Sequence, residues 1–445
     1  MKKTLALMLA ALLIFSCALA EEQPLPELLR FRQETREREY VHGDVYIQRS
    51  YVVTQNKQVN AELRGVVDLL VEEGRPHLPR GPVHRDKSYL RVGTGVSRTG
   101  QSWMSFLTLG SVKHEYEQTH VTFDARAYDM ATGRRLTMDD LFAPDSQGWE
   151  IMAQAVKAQL NAYFPHKECD SATLEALCTR EALGRVPFTL TGGSLRLHYW
   201  ADALYPGQNT LMHVRLMYPD IRPHMREEAQ KQTDNSCYKL IALTFDDGPA
   251  HRYSINVAET LRAHGADGTF FLVGTMLNSG HYVMAFEHDA GFPLAYHSYF
   301  HRLTGNLAKG APEEWEKFSR EIAQITGTVP TIMRAPGGDE GPFITANIGL
   351  PLINWNISAG DGADVRSYDD ADIHAIACNV GGGAQDGDVV LMHDLRRACH
   401  QYLEPILTRL EERGFLCVTV EELFANRGIP LLPNTIYYEA RPSLQ

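Results

Sequence analysis

The chain lacks the features that define several large classes of protein. Its 445 residues carry 43 Lys and Arg against 55 Asp and Glu, a net charge of -12, so it offers no basic footprint for nucleic acid. None of its seven cysteines belongs to a Cys-x-x-Cys pair, which argues against a thiolate zinc site. Beyond the first 20 residues, no apolar run is long enough to cross a bilayer.

The first twenty residues have the composition of a secretory signal. Two lysines precede an apolar run over residues 5–15, and Ala18-Leu19-Ala20 forms a small-x-small cleavage site. Cys17 offers an alternative, processing as a lipoprotein, although Phe15 fits that pattern less well than Ala20 fits ordinary cleavage. We therefore predict a secreted protein with a signal peptide over residues 1–20.

Six cysteines would remain after cleavage, outside the cytoplasm. Cys169 and Cys178 bracket a short polar loop, and their spacing predicts a local disulfide. The sequence does not determine how the other four would pair: Cys237, Cys378, Cys399 and Cys417.

The length of the chain favours two folded units. Residues 40–225 have an α+β pattern, with apolar residues at helical spacing after residue 58 and glycine-broken strand patterns between residues 88 and 126. The charged segment 21–40 is expected to be a poorly ordered lead-in. Residues 226–236 are polar without periodicity and predict a linker, and residues 429–445 are expected to be a C-terminal tail.

Short apolar runs alternate with helical patterns over residues 237–428. The seven strand candidates cover residues 240–245, 269–273, 292–296, 331–333, 352–355, 389–392 and 415–418. Such alternation predicts a parallel sheet with right-handed crossovers, either doubly wound or closed. Seven candidates favour a complete or incomplete barrel. The predicted fold class is thus α/β, a distorted (β/α) barrel preceded by a smaller α+β domain.

Polar clusters follow five of these runs. They are Asp246-Asp247, His297 to His301, Arg334 to Gly338, Trp355-Asn356 with Asp361, and His393-Asp394. Because ligands and catalysis converge at the carboxyl ends of parallel strands, we expect these five clusters to face one site.

His297 and His301 have a spacing suited to binding one cation, since residues at i and i+4 can turn both imidazoles to one side of a helical turn. Asp247 would complete a set of two histidines and one carboxylate with open positions, which is typical of a catalytic metal site. The same ligand types also suit non-haem iron, so they do not determine the metal.

These motifs, in this order, resemble the polysaccharide deacetylase family, the NodB-homology domain of carbohydrate esterase family 4. The resemblance covers residues 238–426. It implies a distorted (β/α) barrel and hydrolysis of N- or O-acetyl groups on polysaccharides. It also implies a divalent metal, usually zinc, with Co²⁺, Mn²⁺ or Ni²⁺ as alternatives.

The resemblance also suggests a role for each residue of the site. Asp246 resembles the catalytic base and Arg334 the arginine that pairs with it. Asp361 resembles the aspartate that orients the catalytic histidine, and His393 that histidine, acting as acid. The family's metal ligands correspond to Asp247, His297 and His301.

Three further residues are predicted to contact substrate: Gly337, Leu391 and Trp355. A backbone N–H near Gly337 would receive the oxyanion, and Leu391 would line a small pocket for the acetyl methyl group. Many family members have Asp-x-x-Asp-Trp in the fourth motif, where this chain has Ser358 and Gly362 at the first and last positions. Gly337 also stands where an aromatic residue is common. The groove is therefore expected to be more open, which leaves the substrate undetermined.

Residues 40–225 resemble extracytoplasmic domains of the DUF4163/DUF3298 type, through segment 123–142 and the strands over residues 195–218. The leading hypothesis is a secreted N-deacetylase of cell-wall amino sugars, with peptidoglycan as substrate. The alternatives are an O-deacetylase of acetylated polysaccharide and a wall-binding or sensing protein with a vestigial deacetylase domain.

Overall fold

The structure, a computed structural model, describes residues 25–36, 38–80, 88–250, 253–302, 307–361, 369–395 and 398–441. The predicted signal peptide, Cys17 and Gly362 lie outside these ranges. Within the described ranges, no helix is both long enough and apolar enough to cross a membrane.

The first half of the chain begins with a seven-stranded sheet. Its strands are β1 (Phe31–Thr35), β2 (Glu39–His42), β3 (Val45–Thr54), β4 (Ser88–Arg98), β5 (Trp103–His114), β6 (Glu117–Asp129) and β7 (Arg134–Arg135). They lie in the order β1-β3-β4-β5-β6-β7, with β2 also pairing with β3. The charged lead-in prediction is thus wrong for Phe31–Thr35, because these residues form a complete antiparallel ladder with β3.

Helix α1 (Lys57–Gly74) covers one face of this sheet. The Asn56 side chain caps its start by accepting hydrogen bonds from the backbone N–H groups of Gln58 and Val59. The apolar positions at helical spacing are buried, as their pattern predicts: Val59, Leu63, Val66, Val67 and Leu70. Burial of this stripe, rather than helix propensity, fixes the helix on the sheet.

A second layer of the first half surrounds a three-stranded antiparallel sheet, in the order β10-β9-β8. The strands are β8 (Phe188–Leu190), β9 (Ser194–Trp200) and β10 (Leu211–Met217). The helices are α2 (Met138–Leu141), α3 (Gly148–Ala162), α4 (Ser171–Leu177), α5 (Arg180–Leu183) and α6 (Tyr218–Ile221). Trp149, Met152, Val156 and Leu160 of α3 enter its apolar core.

Two predictions about the first half are not met. All six described cysteines are free, so the predicted Cys169–Cys178 bridge is absent; both thiols pack against the apolar core of this layer.

The predicted linker contains helix α7 (Glu227–Gln232). Its last residue, Gln232, is buried and accepts hydrogen bonds from the backbone of Ser102 and Trp103, so tertiary contacts order a segment without periodicity.

The second half contains a six-stranded parallel sheet in the order β13-β12-β11-β16-β15, with β17 also pairing with β11. The strands are β11 (Lys239–Asp246), β12 (Thr269–Leu272), β13 (Leu294–Tyr296), β15 (Ile357–Ser358), β16 (Val389–His393) and β17 (Phe415–Val418). The central strand β11 is buried along residues 240–246, as expected for a parallel strand covered on both faces.

Helices cover this sheet. They are α8 (Tyr253–His264), α9 (His281–Asp289), α10 (Leu307–Thr326), α11 (Gly341–Ala346), α12 (Asp370–Ala377), α13 (Ala398–Glu412) and α14 (Val420–Asn426). The mixed α/β class is therefore confirmed.

The closed barrel stays a prediction. Single bridges join Tyr296 to Met333 and Met333 to Leu352, where the sequence predicted a full strand over residues 331–333. Beyond them, β14 (Leu352–Ile353) pairs with β18 (Ile436–Tyr437). The segment expected to be a tail thus supplies a strand to the sheet edge.

The two halves are in direct contact. The Tyr89 and Tyr282 rings meet edge to face at 5.7 Å, and both belong to the main apolar core of the second half. Arg98 of the first half also lies 3.0 Å from Glu411 of the second. Apolar and charged groups therefore both hold the halves together.

Candidate active site

The carboxyl end of β11 lies at the centre of the site. The parallel register pairs Asp246 with His393 of β16 on one side and with Phe271 of β12 on the other. The predicted base and the predicted acid are therefore direct neighbours on adjacent strands. Asp247 follows with a φ of 75°, in the left-handed region, where the chain turns away from the strand.

Asp246 is buried and held by Arg334. Arg334 Nη1 donates a hydrogen bond of 2.8 Å to Asp246 Oδ1. The other carboxylate oxygen, Oδ2, lies 3.5 Å from His297 Nε2. One oxygen is thus held by the arginine and the other faces the histidine cluster.

Arg334 is fully buried, and its guanidinium has several acceptors besides Asp246. It donates to Thr244 Oγ1 at 2.7 Å, to the Ile353 carbonyl at 2.8 Å and to the Asn354 carbonyl at 3.1 Å. Burial lowers the pKa of Arg334, while the charge of Asp246 opposes that shift. These fixed contacts orient the guanidinium toward Asp246.

The ring of His297 is fixed by the backbone. Its Nδ1 lies 2.9 Å from the Arg334 carbonyl oxygen, which can only accept, so Nδ1 carries the proton. Nε2 is then left with its lone pair directed toward the two aspartates. This is the tautomer that a metal ligand requires, set by the second nitrogen of the ring.

Asp247, His297 and His301 form a cluster whose ligand atoms all lie within 4.8 Å of one another. Asp247 Oδ1 is 2.9 Å from His301 Nε2 and 3.5 Å from His297 Nε2. That oxygen is buried, and no hydrogen bond of acceptable geometry reaches it. A buried carboxylate oxygen between two imidazole nitrogens fits a divalent cation, so these three residues could hold the metal.

The electrostatics of this cluster agree with that fit. Burial raises the pKa of Asp247, but its interaction with the two nearby imidazoles overrides it and holds the pKa well below its usual range. The same interaction with Asp247 raises the pKa of His301, against its partial burial. The Asp247 carboxylate is therefore held in its charged form and favours a positively charged group beside it.

The spacing of the two histidines predicted a helical turn, and this prediction is wrong. Residues 297–301 form a loop in which Ser298 and His301 have positive φ values of 63° and 50°. The Ser298 hydroxyl accepts from the His301 N–H at 3.0 Å and closes this loop. The loop, and not a helix, brings both imidazoles to Asp247.

His393 is oriented by Asp361. Its Nδ1 lies 2.9 Å from Asp361 Oδ1, and its backbone N–H donates to Asp361 Oδ2 at 2.8 Å. The Tyr402 hydroxyl also donates to Oδ2. Burial lowers the pKa of His393, but the hydrogen bond and charge of Asp361 outweigh it and raise the pKa to about 9.

The three predicted substrate contacts lie beside these groups. Gly337 has a φ of 64° in the turn Pro336–Gly338, where a side chain would be strained. Leu391 is buried two residues before His393 on β16. The Trp355 ring lies under the Arg334 guanidinium, 5.5 Å away, and beside Gly338. Their proposed roles stay predictions.

Comparison with known sequences agrees with this arrangement. Residues 233–348 match the family described as polysaccharide deacetylase, and the matched segment contains Asp246, Asp247, both histidines of the cluster and Arg334. The chain contains a polysaccharide deacetylase domain. Domains of this family are hydrolases, and the second half of the chain is called the deacetylase domain below.

Two curated relatives extend the likeness. The chain is 27% identical over 310 residues to the peptidoglycan-N-acetylglucosamine deacetylase PgdA of Listeria monocytogenes, covering 67% of this chain and 64% of that protein. It is 26% identical over 325 residues to the peptidoglycan-N-acetylmuramic acid deacetylase PdaC of Bacillus subtilis, covering 66% and 67%. The chain thus spans less than two thirds of the length of PgdA and about two thirds of that of PdaC.

Among solved structures, the chain is similar to the Xyl-CE4 domain of a multidomain xylanase from the hindgut metagenome of Trinervitermes trinervoides. The identity is 31%, the match covers 46% of this chain and 98% of that one, and the TM-score is 0.41. The match of the first half to the DUF4163/DUF3298 type stays a prediction.

The sequence did not reveal two residues of the deacetylase domain that support the site. Thr244 accepts from Arg334 and donates to the Val390 carbonyl at 2.5 Å, which links β11 to β16. Thr244 lies two residues before Asp246 on the same strand, and this position was the only sign in the sequence that it supports the site. Tyr402 lies inside α13, where a single tyrosine carries no recognisable signal.

Proposed function

We propose that the protein is a secreted, metal-dependent N-deacetylase that hydrolyses acetamido groups of cell-wall amino sugars, with peptidoglycan as the polymer. The observation that carries this proposal is the pairing of Asp246 with His393 on adjacent strands. The proposed base and the proposed acid are neighbours there, and the candidate metal cluster lies next to them, formed by Asp247 after β11 and by His297 and His301 in the loop after β13.

Asp246 is suited to accept a proton from the attacking water. Its Oδ1 is occupied by Arg334, whereas Oδ2 lies on the side of the cluster, 3.5 Å from His297 Nε2, and would be the oxygen that faces the attacking water. The buried guanidinium holds this carboxylate in place through an ion pair of 2.8 Å, so a general base at this position would be rigidly oriented. Arg334 itself is held by three other acceptors and does not need to move.

Asp247, His297 and His301 would hold a divalent cation, which we propose to be Zn²⁺. Such an ion would polarise the acetamide carbonyl and lower the pKa of its water. The backbone N–H near Gly337 would donate to the same carbonyl oxygen as its negative charge develops.

His393 is suited to protonate the departing nitrogen. Its Nδ1 is engaged by Asp361, so the proton on Nε2 is the one available for transfer. With a pKa of about 9 the imidazole is protonated at neutral pH. The protonated amine then leaves and acetate is released, and Asp361 stabilises the imidazolium before the proton moves.

The choice of polymer and compartment has separate support. Both curated relatives are named for deacetylation of peptidoglycan, one on N-acetylglucosamine and one on N-acetylmuramic acid. The signal-like residues 1–20 support secretion. The DUF4163/DUF3298-like first half would bind the wall or serve as a structural support.

An acetate-release assay on three polymers tests this proposal. The full chain is incubated with peptidoglycan, chitooligosaccharides or acetyl-xylan, before and after chelation, and then after addition of Zn²⁺, Co²⁺, Mn²⁺ or Ni²⁺. We expect acetate release from peptidoglycan. Chelation should abolish this release and a dication should restore it, because Asp247, His297 and His301 would contribute to the reaction only through a bound ion.

Each other outcome has a defined meaning. Faster release from acetyl-xylan would favour the O-deacetylase, since an ester depends less on protonation by His393. No release from any polymer would favour a binding protein. Release that survives chelation would contradict the metal-dependent mechanism.

A further inference from the structure

A polar cleft lies between the first half and the deacetylase domain. Strands β1, β3 and β4 form one wall, and helices α8 and α13 form the other. It consists of two adjoining cavities of about 410 and 610 Å³, which share Gln33, Ala263, His264 and Glu404. No residue of the candidate active site lines either cavity, so the cleft is a separate feature.

Half of the residues that line the smaller cavity are neutral and carry hydrogen-bonding side chains. They are Gln33, Thr35, Gln48, Ser50, Thr94, Asn256 and Thr260. The Thr35 and Ser50 hydroxyls bond to each other at 3.0 Å, and each keeps further donor or acceptor capacity. Ligand pockets are usually lined by apolar groups, so this lining favours a polar ligand instead.

The charges of the cleft are balanced. Arg91 of β4 lies 3.0 Å from Glu259 of α8, an ion pair that spans the two halves. Arg262 and Glu404 add one charge of each sign to the lining. Burial lowers the pKa of His264, which favours the neutral form of this imidazole. A ligand with a net charge therefore gains little, whereas hydroxyl and amide groups find both donors and acceptors.

Two glycines of β4 differ in the space beside them, and only Gly93 faces the open cleft. At Gly95 a β-carbon would lie 2.6 Å from Arg262 Nε, so glycine is needed for Arg262 to reach the Gly93 and Leu107 carbonyls. At Gly93 a β-carbon would meet only Ser50, at an ordinary contact distance of 3.5 Å. Packing does not require glycine at position 93, but a side chain there would project into the cavity.

We propose that this cleft is a second glycan-binding site, which holds a neutral, hydroxyl- and acetamido-bearing segment of a polysaccharide. Its volume is within the range of small-molecule sites. A stem peptide fits less well, because its carboxylates would need a net positive charge in the lining. The binding does not depend on the proposed catalysis, since none of its residues belongs to the active site.

Gly93→Val tests this site by filling it, because a β-branched side chain is favoured in a strand. Asn256→Ala is the second variant; it removes one lining amide from α8, and alanine supports a helix. Gln154→Ala, an exposed change on α3, is the matched control. Binding is measured by calorimetric titration of the full chain with a soluble N-acetylglucosamine hexamer, in an Asp246→Asn background that prevents turnover.

We expect the parent and the control to bind at two sites. Gly93→Val should lose one of them, and Asn256→Ala should weaken it about tenfold, the effect of roughly one to two hydrogen bonds. Should Gly93→Val fail to fold, Asn256→Ala decides. Unchanged binding in Asn256→Ala, or binding of stem peptide in place of the glycan, would each overturn the proposal. Acetate release from a short soluble substrate, measured separately, reports on the proposed catalysis.

Discussion

Two buried arginine–carboxylate pairs, made of the same chemical groups, have different surroundings in this protein. At the candidate active site, Arg334 donates to Asp246 Oδ1 at 2.8 Å. At the contact between the two halves, Arg196 Nη2 donates to Glu422 Oε1 at 2.7 Å. All four side chains are nearly inaccessible to solvent.

The two carboxylates differ in the number of donors that reach them. Glu422 Oε1 also accepts from Thr191 Oγ1 and Ser194 Oγ, and Oε2 accepts from the Thr419 N–H at 3.1 Å. Asp246 has Arg334 on one oxygen, while the other faces His297 at 3.5 Å. A carboxylate with all its hydrogen bonds made stabilises the fold, whereas one with an open oxygen can accept a proton.

Asp246→Asn should have the largest effect. The amide cannot act as a general base, so the rate of acetate release should fall about 10²- to 10⁴-fold. Arg334 keeps its hydroxyl and carbonyl acceptors, so the fold should persist. Thermal unfolding of the same sample checks this. A variant that is folded and fully active would remove Asp246 from the mechanism.

Glu422→Gln should act on stability and not on chemistry. Loss of the charge leaves Arg196 with Asp267 alone, and we expect a cost of about 3 kcal/mol in the free energy of unfolding. Urea titration measures this cost, and acetate release per folded molecule should not change. Glu175→Gln, in an exposed pair with Lys157, is the control and should leave the free energy of unfolding almost unchanged, because solvent screens this pair.

The effect of Glu422→Gln should also depend on pH. Burial raises the pKa of Glu422, but Arg196 and the hydrogen bonds outweigh it and lower the pKa from 4.5 to about 2. A lowered pKa means that the stabilisation is complete above pH 4.5 and is lost as the pH falls toward 2. A difference between the two proteins that persists at pH 2 would contradict this explanation.

Asp361→Asn should displace the pH profile of acetate release. The raised pKa of His393 keeps the acid protonated up to about pH 9, so the rate should fall as the pH rises through that value. Without the charge of Asp361, the pKa should return toward 6.5, and the basic limb should move to lower pH. The pH dependence of acetate release measures this, with the exposed Asp370→Asn as control.

The residues of the site could be predicted because parallel strands place their polar clusters at one end. Asp246 and His393 end two parallel strands and are paired by the register, and His297 directly follows a third strand, whereas Arg334 follows a single bridge in place of the predicted strand. The local conformation between His297 and His301 was not predictable, since a loop with two positive φ values has no distinctive residue pattern.

Errors in the first half and at the ends of the chain have another cause. Phe31–Thr35 and Ile436–Tyr437 are strands only because they pair with β3 and β14, which lie elsewhere in the sequence. Residues 227–232 are a helix within a contact to β5. Pairing with a strand that is distant in the sequence produces no periodic pattern in the residues of the segment itself.

The sequence by itself determined which chemical groups are available: two adjacent aspartates, two histidines four residues apart, an arginine and an Asp–His set at strand ends. Only the tertiary structure decided how each group is used. Asp246 and Arg334 are 88 residues apart, and Ser194 and Glu422 are 228 residues apart. The burial of a carboxylate and the donors that reach it come from such distant segments. They give Glu422 a structural role and leave one oxygen of Asp246 without a strong donor. The same packing of distant segments forms the polar cleft between the halves.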